Sequence, residues 1–338
     1  MIEGHGDDVY RYGDKVKHNF STNIISNVDH SGLKEHLKTV LDKIGSYPEP
    51  APFTLEALIA EKLGVKPENV VVTNGATDAM YRIASIYRES CSAIVVPTFR
   101  EYQDACERYE QDWIFFNDIE EITNEVDLVW VCNPNNPTGK GYAKSELQSL
   151  AKELPNCWIV VDQAYADYTQ LEVLTAREAI DAGNIVLLNS LTKRYAVPGL
   201  RIGYLVATKS FASVIRNAGI PWCVNTLAIE AGKYLIEYDE DYKIPVDMLH
   251  EEAKRMAEAF RRNGIQCSDT VCNFILCELP KGTSADLKEY LVDNYGILIR
   301  DASNFEGLGE RHFRVAAQTP EENDLLIKGI ERWLETQI

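Results

Sequence analysis

The middle of the chain alternates short apolar runs with amphipathic stretches, and that rhythm predicts most of its architecture. Val70 to Thr73, Ala93 to Pro97, Leu128 to Cys132, Trp158 to Asp162, Ile185 to Ser190 and Ile202 to Val206 are rich in Val, Ile and Leu without strict alternation. Runs of that kind suit strands covered on both faces. Among them, Thr77 to Arg88 follows an Asn-Gly turn, while Lys144 to Glu153 and Lys209 to Asn217 carry helical patterns. Strand and helix in alternation predict a mostly parallel sheet sandwiched by helices. The last third changes character. A long charged helix over Val246 to Asn263, a strand over Asn273 to Leu279, a helix over Ser284 to Asn294, short strands over Ile297 to Arg300 and Phe313 to Ala316, and a helix over Pro320 to Thr336 predict a separate α+β lobe. Segment 41–53, LDKIGSYPEPAPF, is Pro-rich and reads as an irregular surface crossing between lobes.

Composition bounds the function. At 338 residues, 45% hydrophobic and 25% charged, the chain can bury a core and is long enough for roughly two domains. Against 34 Lys and Arg stand 52 Asp and Glu, a formal charge of −18, which repels phosphate backbones and anionic lipid surfaces. Neither nucleic acid nor membrane is therefore expected as a partner. No apolar stretch approaches the length of a membrane span, and MIEGHGDDVYRYGDKVKHNF at the start has no signal-peptide core, so a cytoplasmic location is the default expectation. The eight cysteines are scattered, and Cys267, Cys272 and Cys277 recur at a spacing unlike CxxC. Free thiols packed in the core are expected, with no disulfide and no metal.

In an open α/β sheet, ligands sit beyond the carboxyl ends of the strands, which makes the residues just after each run the informative ones. After Val70 to Thr73 comes Asn74-Gly75-Ala76-Thr77, a glycine turn into a helix whose free N–H groups suit a phosphate. After Leu128 to Cys132 comes Asn133-Pro134-Asn135-Asn136-Pro137-Thr138-Gly139-Lys140, rigid and amide-rich, with Pro134 where a Walker loop needs glycine. Trp158 to Asp162 ends on a carboxylate, and Ile185 to Ser190 runs into Ser190-Leu191-Thr192-Lys193. Taken singly, Asp162 could cap a turn and Lys193 could be a solvated lysine. Jointly, a phosphate cradle, an amide, a carboxylate and a lysine are what pyridoxal phosphate requires: an amine for its aldehyde, an acid for its ring nitrogen and a cup for its ester. A nicotinamide site would need GxGxxG after an early strand, and Gly307-Leu308-Gly309 lies late and without that context.

The runs NPNNPTG (133–139), DQAY (162–165) and SLTKRYAVPGLRIGY (190–204), in this order, resemble pyridoxal-phosphate enzymes of fold type I, aminotransferase class I/II. The resemblance implies an α/β fold with a mostly parallel seven-stranded sheet in a large cofactor domain (46–237). It implies a smaller α+β domain formed by the C-terminal third (238–338) and the N-terminal segment (1–45). By the same resemblance, Lys193 bonds the cofactor aldehyde, Asp162 faces the pyridine nitrogen, Asn136 and Tyr165 meet the ring hydroxyl, and Tyr102 stacks on the ring. Gly75, Ala76, Thr77, Ser190, Thr192 and Arg201 match the phosphate cup, to which Tyr47 of a partner subunit adds, so a homodimer with a shared site is implied. Catalysis falls to Lys193, Asp162 and Tyr165. Without the resemblance, Tyr165 and Tyr102 would read as packing aromatics, and His5 as a solvated residue.

Within that class, His5-Gly6, Phe20-Ser21-Thr22-Asn23-Ile24, Ser46-Tyr47-Pro48, Pro221 to Asn225 and ILIRDASNFEGL (297–308) followed by FRVA (313–316) resemble threonine-phosphate decarboxylases of cobalamin synthesis, with histidinol-phosphate aminotransferases next. The resemblance directs Arg314 and Arg300 to a substrate's acid and phosphate groups, with His5 and Asn23 beside them. The plainer alternative is two surface salt bridges. Arginine suits this task because its planar fork binds carboxylate or phosphate bidentately and its charge is permanent. The implied substrate is a phosphorylated amino acid or amine. The first reading is release of carbon dioxide from L-threonine O-3-phosphate to give (R)-1-amino-2-propanol phosphate. An aminotransferase using glutamate and 2-oxoglutarate is the alternative, and a non-catalytic ligand-binding regulator a third. Gln163 stands where the family usually has an acidic residue, a departure from its pattern.

Overall fold

Seven strands form the central sheet in the order Val70–Thr73, Gly203–Val206, Ile185–Asn189, Trp158–Asp162, Leu128–Cys132, Cys91–Val95, Asp112–Phe116. The computed structural model of the chain describes residues 6–337. Five of the six apolar runs are buried at nearly every position, as their continuous Val, Ile and Leu content requires, while Cys91–Val95 is buried at its three central residues. The Asp112–Phe116 strand was not legible in the periodicity. It lies at the sheet edge, pairs only with Cys91–Val95, and is partly exposed along its length.

Gly203–Val206 is the strand that runs against its neighbours. The chain leaves Ile185–Asn189 at one rim, crosses that rim through residues 190–202, and returns down the adjacent strand. Lys193 and Arg201 therefore occupy the same rim as the ends of Val70–Thr73, Leu128–Cys132 and Trp158–Asp162, as the register of Thr73 with Gly203 and of Cys132 with Asp162 requires. Glycine at 203 is a packing necessity. A Cβ there would lie 2.7 Å from Ala76 N, 2.8 Å from Asn189 O and 3.0 Å from Gly75 C, all backbone atoms with nowhere to go.

The C-terminal lobe is a four-stranded antiparallel sheet, Arg300–Asp301, His312–Ala316, Phe274–Glu278, Gln266–Cys267, backed by helices Val246–Arg262, Ser284–Tyr295 and Pro320–Thr336. Phe260, Phe274, Phe313, Ile330 and Trp333 fill its core. The last helix starts where its sequence says it should, with Thr319 and Glu322 forming a capping box and Pro320 in the first turn. Residues Ile297 to Arg300 split into two short strands, Ile297–Leu298 pairing parallel with His18–Asn19, and Arg300–Asp301 joining the four-stranded sheet.

Two expectations change. The N-terminal segment, expected whole (1–45) in the small lobe, divides within its described residues: His18–Asn19 packs there, but helix Ser31–Thr39 lies on helix Thr226–Glu237, with the His36 and Tyr234 rings stacked at 4.9 Å and Leu33 buried in the large lobe's core. Segment 41–53 is not wholly irregular either. Leu41–Gly45 forms a 3-10 turn, since its prolines begin only at Pro48.

The contacts at Gly203 predict that Gly203→Ala lowers stability by about 1–3 kcal/mol, the range for overpacking a rigid site. Gly45→Ala, where nothing lies within 4 Å of the added methyl, should be nearly neutral. Urea titration of both variants checks the contrast.

Candidate active site

The rim residues close around a cavity of about 170 Å³ lined by Ala76, Thr77, Phe99, Asn136, Asp162, Tyr165, Ser190, Thr192, Lys193 and Arg201, among others. A second cavity, about 240 Å³, shares Thr77, Phe99, Asn136, Tyr165 and Lys193 with it and extends to Asp7, Thr22, Arg300 and Arg314 of the N-terminal segment and small lobe. Lys193, Tyr165 and Asn136 thus stand at the junction of an inner chamber in the large lobe and an outer chamber between lobes.

In the inner chamber, Asp162 ends its strand buried, its Oδ1 accepting from the Ala164 N–H at 2.9 Å and its Oδ2 from the Tyr102 hydroxyl at 2.7 Å. Burial pushes its carboxyl up, while the Tyr102 and Ala164 donors and the Lys193 charge pull it back toward the ionised form. Across the chamber, Lys193 Nζ donates to the Thr22 carbonyl at 3.0 Å. Burial, then the charges of Arg314 and Arg201, bring its ammonium down to about 8. That raises the neutral fraction near pH 7 well above an ordinary lysine's, as a nucleophilic lysine needs.

The far end of the chamber is built for an anion. Ala76 and Thr77 open helix Ala76–Ile86, whose first N–H groups lack intrahelical partners. Gly75 has a φ of +84°, and a Cβ there would come 2.8 Å from the Arg201 guanidinium. Glycine therefore lets the arginine close on the helix start. The Ser190 and Thr192 hydroxyls lie 2.7 Å apart at the same wall. A buried acid, a lysine of lowered basicity and a cup of hydroxyls, free amides and guanidinium fit an aromatic nitrogen, an aldehyde and a phosphate ester.

The outer chamber holds two arginines that face each other directly across the ladder, Arg300 opposite Arg314. Both are buried, and burial brings each guanidinium down to about 10. Like charges at directly opposed positions repel unless an anion joins them. Arg314 donates to Asn136 Oδ1 and the Ser21 carbonyl, while its buried Nε has no partner among the described residues. Arg300 donates to Asn304 Oδ1 at 2.7 Å and lies over the Phe305 ring. Asn23 is wholly buried next to the Tyr165 hydroxyl. Asp7 also faces this chamber, held by Asn19 Nδ2 at 2.7 Å.

The structure thus gathers nearly every residue singled out in the sequence, with three exceptions. Tyr102 does not face the chamber. It is fully buried behind Asp162, stacked on Trp130 at 5.3 Å, and Phe99 lines the cavity instead. Both aromatics occur in PTFREY. Phe99 is nearer the strand end, the position where ligand-facing residues belong, whereas Tyr102 lies in the first turn of helix Glu101–Arg108. Tyr47 lines neither cavity and is 85% exposed. His5 lies outside the described residues. Gln163 turns away from the chamber and donates to the Leu174 carbonyl at 3.2 Å, so the departure at this position leaves the chamber untouched. Asp7 and the Thr22 carbonyl were missed; no pattern in the sequence marks a lone aspartate or a main-chain oxygen.

A sheet of this topology with a lysine and an aspartate on its rim is the framework of a cofactor-dependent enzyme acting on amino compounds. The chain belongs to the aminotransferase class I and II family, whose sequence model it matches over residues 18–330, and its cofactor is pyridoxal 5'-phosphate. It is 31% identical to the threonine-phosphate decarboxylase of Salmonella typhimurium, over 89% of this chain and 87% of that one. It is 28% identical to a histidinol-phosphate aminotransferase of Mannheimia succiniciproducens, over 88% and 84%. The crystal structure of L-threonine-O-3-phosphate decarboxylase from Porphyromonas gingivalis superposes with a TM-score of 0.92 at 38% identity, covering 95% of this chain and all of that one. No helix among the described residues is long and apolar enough to cross a membrane.

The lowered basicity of Lys193 makes a prediction about cofactor uptake. The amine reacts only when neutral, so the rate at which cofactor-free protein takes up pyridoxal 5'-phosphate should rise with pH around a midpoint near 8. A lysine with the ordinary value of about 10.4 would place that midpoint more than two units higher. Stopped-flow absorbance over a pH series reads it.

Proposed function

We propose that this chain is a decarboxylase of L-threonine O-3-phosphate, releasing carbon dioxide and leaving (R)-1-amino-2-propanol phosphate. The observation that carries the reading is the pair of opposed, buried guanidinium groups, Arg300 and Arg314, opening toward Lys193. A substrate with two anionic groups, carboxylate and phosphate, relieves their mutual repulsion and supplies what the unpartnered Arg314 Nε lacks. The similarity to two threonine-phosphate decarboxylases at 31% and 38% identity supports the same reaction.

Roles follow from position. Lys193 holds the cofactor through its aldehyde carbon. Asp162, whose ionised form the Tyr102 hydroxyl and the Ala164 N–H favour against its burial, pairs with the ring nitrogen. Asn136 and Tyr165 meet the ring hydroxyl, and Phe99 covers the ring face. Gly75, Ala76, Thr77, Ser190, Thr192 and Arg201 receive the phosphate ester. Bound there, pyridoxal 5'-phosphate supplies an acceptor for the electron pair left when a bond at the substrate Cα breaks. Arg314 grips the carboxylate and Arg300 the substrate phosphate, with Asn23 beside them. The phosphate grip fixes the far end of the substrate, and with it which Cα bond stands ready to break. Lys193, near its own midpoint at about pH 8, can hold a proton and return it to Cα once carbon dioxide has left.

The reading includes a partner copy. Leu41, Ile44, Tyr47, Phe53, Ile220 and Trp222 are exposed, and the Tyr47 and Trp222 rings meet at 5.3 Å. In this reading they belong to one apolar face of the kind that marks an interface. Tyr47 on this face completes the phosphate cup of the second subunit, which explains its exposure in a single chain.

Two experiments test these claims. Supplied with L-threonine O-3-phosphate, the holoenzyme should release carbon dioxide without any keto acid; glutamate formation from histidinol phosphate and 2-oxoglutarate, with no carbon dioxide from the threonine ester, would overturn the reading. Arg300→Gln should lower kcat/KM for the phosphorylated substrate by about a hundredfold or more, the cost of removing one member of a buried charge pair, with little effect on unphosphorylated L-threonine. For the shared site, Tyr47→Ala and Lys193→Ala protein should each be impaired alone. Refolded together in equal amounts, they should regain about a quarter of native activity, since half the dimers then carry one intact site.

A further inference from the structure

Two thiols of the C-terminal lobe face each other outside the site. Cys267 on strand Gln266–Cys267 and Cys277 on strand Phe274–Glu278 are direct partners in the antiparallel ladder, with sulfurs 3.6 Å apart. The next residue, Ser268, donates its N–H to the Leu276 carbonyl, so the cysteines occupy a non-hydrogen-bonded position. At such positions the Cα atoms approach to about 4.5 Å, within the span of about 4.4–6.8 Å that a disulfide bridges. Their environments differ usefully. Cys277 is buried, whereas Cys267 is partly exposed and so meets solvent first. The Cys277 thiol and the nearby Arg261 charge hold Cys267 below the usual thiol range against its partial burial, while burial pushes Cys277 up.

We propose that Cys267 and Cys277 are a reversible dithiol–disulfide pair that reacts with small-molecule disulfides. The Cys267 thiolate attacks the S–S bond of the oxidant, forming a mixed disulfide and expelling one thiolate. Cys277 then gives up its proton and attacks Cys267 Sγ, expelling the second. One S–S bond breaks and one forms, the two protein thiols are oxidised, and the oxidant leaves as two reduced thiols. The position matters to the enzyme. The loop between the two strands rests on the segment that carries Asn136, through Ser268 Oγ to the Thr138 carbonyl at 2.9 Å and the Val271 N–H to the Gly139 carbonyl at 2.9 Å. The bond would therefore tie the two strands together at the base of an interlobe contact.

Holoenzyme is treated with oxidised glutathione, unfolded, alkylated and mapped by peptide mass. The expected result is two of the eight cysteines protected from alkylation, a single linkage between positions 267 and 277, and full recovery of both thiols with dithiothreitol. Cys277→Ser should stall as a glutathione adduct on Cys267, and Cys267→Ser should carry neither adduct nor linkage. Alkylation of all eight cysteines in the treated native protein, or a linkage through any other cysteine, overturns the proposal. So does a glutathione adduct on Cys277 in Cys267→Ser. The native protein's map decides the matter even if a serine variant does not fold.

Discussion

Three cations, the buried Arg300 and Arg314 and the largely enclosed Lys193, share one cavity in a chain whose formal charge is −18. Burying a charge without its counter-ion is costly, and here burial brings all three below their ordinary basicity. The anions near them are Asp162 in the inner chamber, Asp7 and Glu101 in the outer one, and Asp8 and Asp301 close to Arg300. Even so the like charges of Arg300 and Arg314 stand directly opposed, and the Arg314 Nε has no partner among the described residues. On the proposed function an anionic ligand would meet both needs.

The rest of the molecule works to hold that interior in place. The reversed strand Gly203–Val206 returns the chain along the rim, so that the Lys193 amine and the Arg201 guanidinium come from one crossing. Asn135 and Asn133 lock the loop bearing Asn136 by bonding to Pro97, Thr138 and Tyr142 main-chain or side-chain atoms. Behind Asp162, Tyr102 donates its hydroxyl to the carboxylate and stacks its ring on Trp130, which is itself anchored to Ser92 Oγ at 3.2 Å. With the Ala164 N–H on the other oxygen, these contacts fix one orientation of the carboxylate.

Much of this was legible in the sequence because strands covered on both faces must be uniformly apolar, and because the residues that follow them are freed to do chemistry. Lys193, Asp162 and Asn136 fall at such places, whereas Arg201 precedes its strand and was marked by the family resemblance alone. Legibility failed where tertiary context decides. Asp112–Phe116 is an edge strand, so no uniform burial marks it. Tyr102 and Phe99 are chemically similar neighbours, and only the start of a helix between them turns one inward. The N-terminal segment divides its allegiance between lobes because His18–Asn19 finds a sheet edge while Leu33 finds the large core. Pairing of Arg300 with Arg314 could not be read at all, since register is a long-range property.

The lysine and the two arginines belong to different lobes, and the contact of the 268–272 loop with Thr138 and Gly139 is part of what sets their separation. On the proposed function this makes a caliper, its jaws an amine in one lobe and guanidinium groups in the other, so that reach along the ligand backbone, as much as its charge, would select what is accepted. A compound with the right ionic ends but a longer carbon skeleton would have to pry the jaws apart.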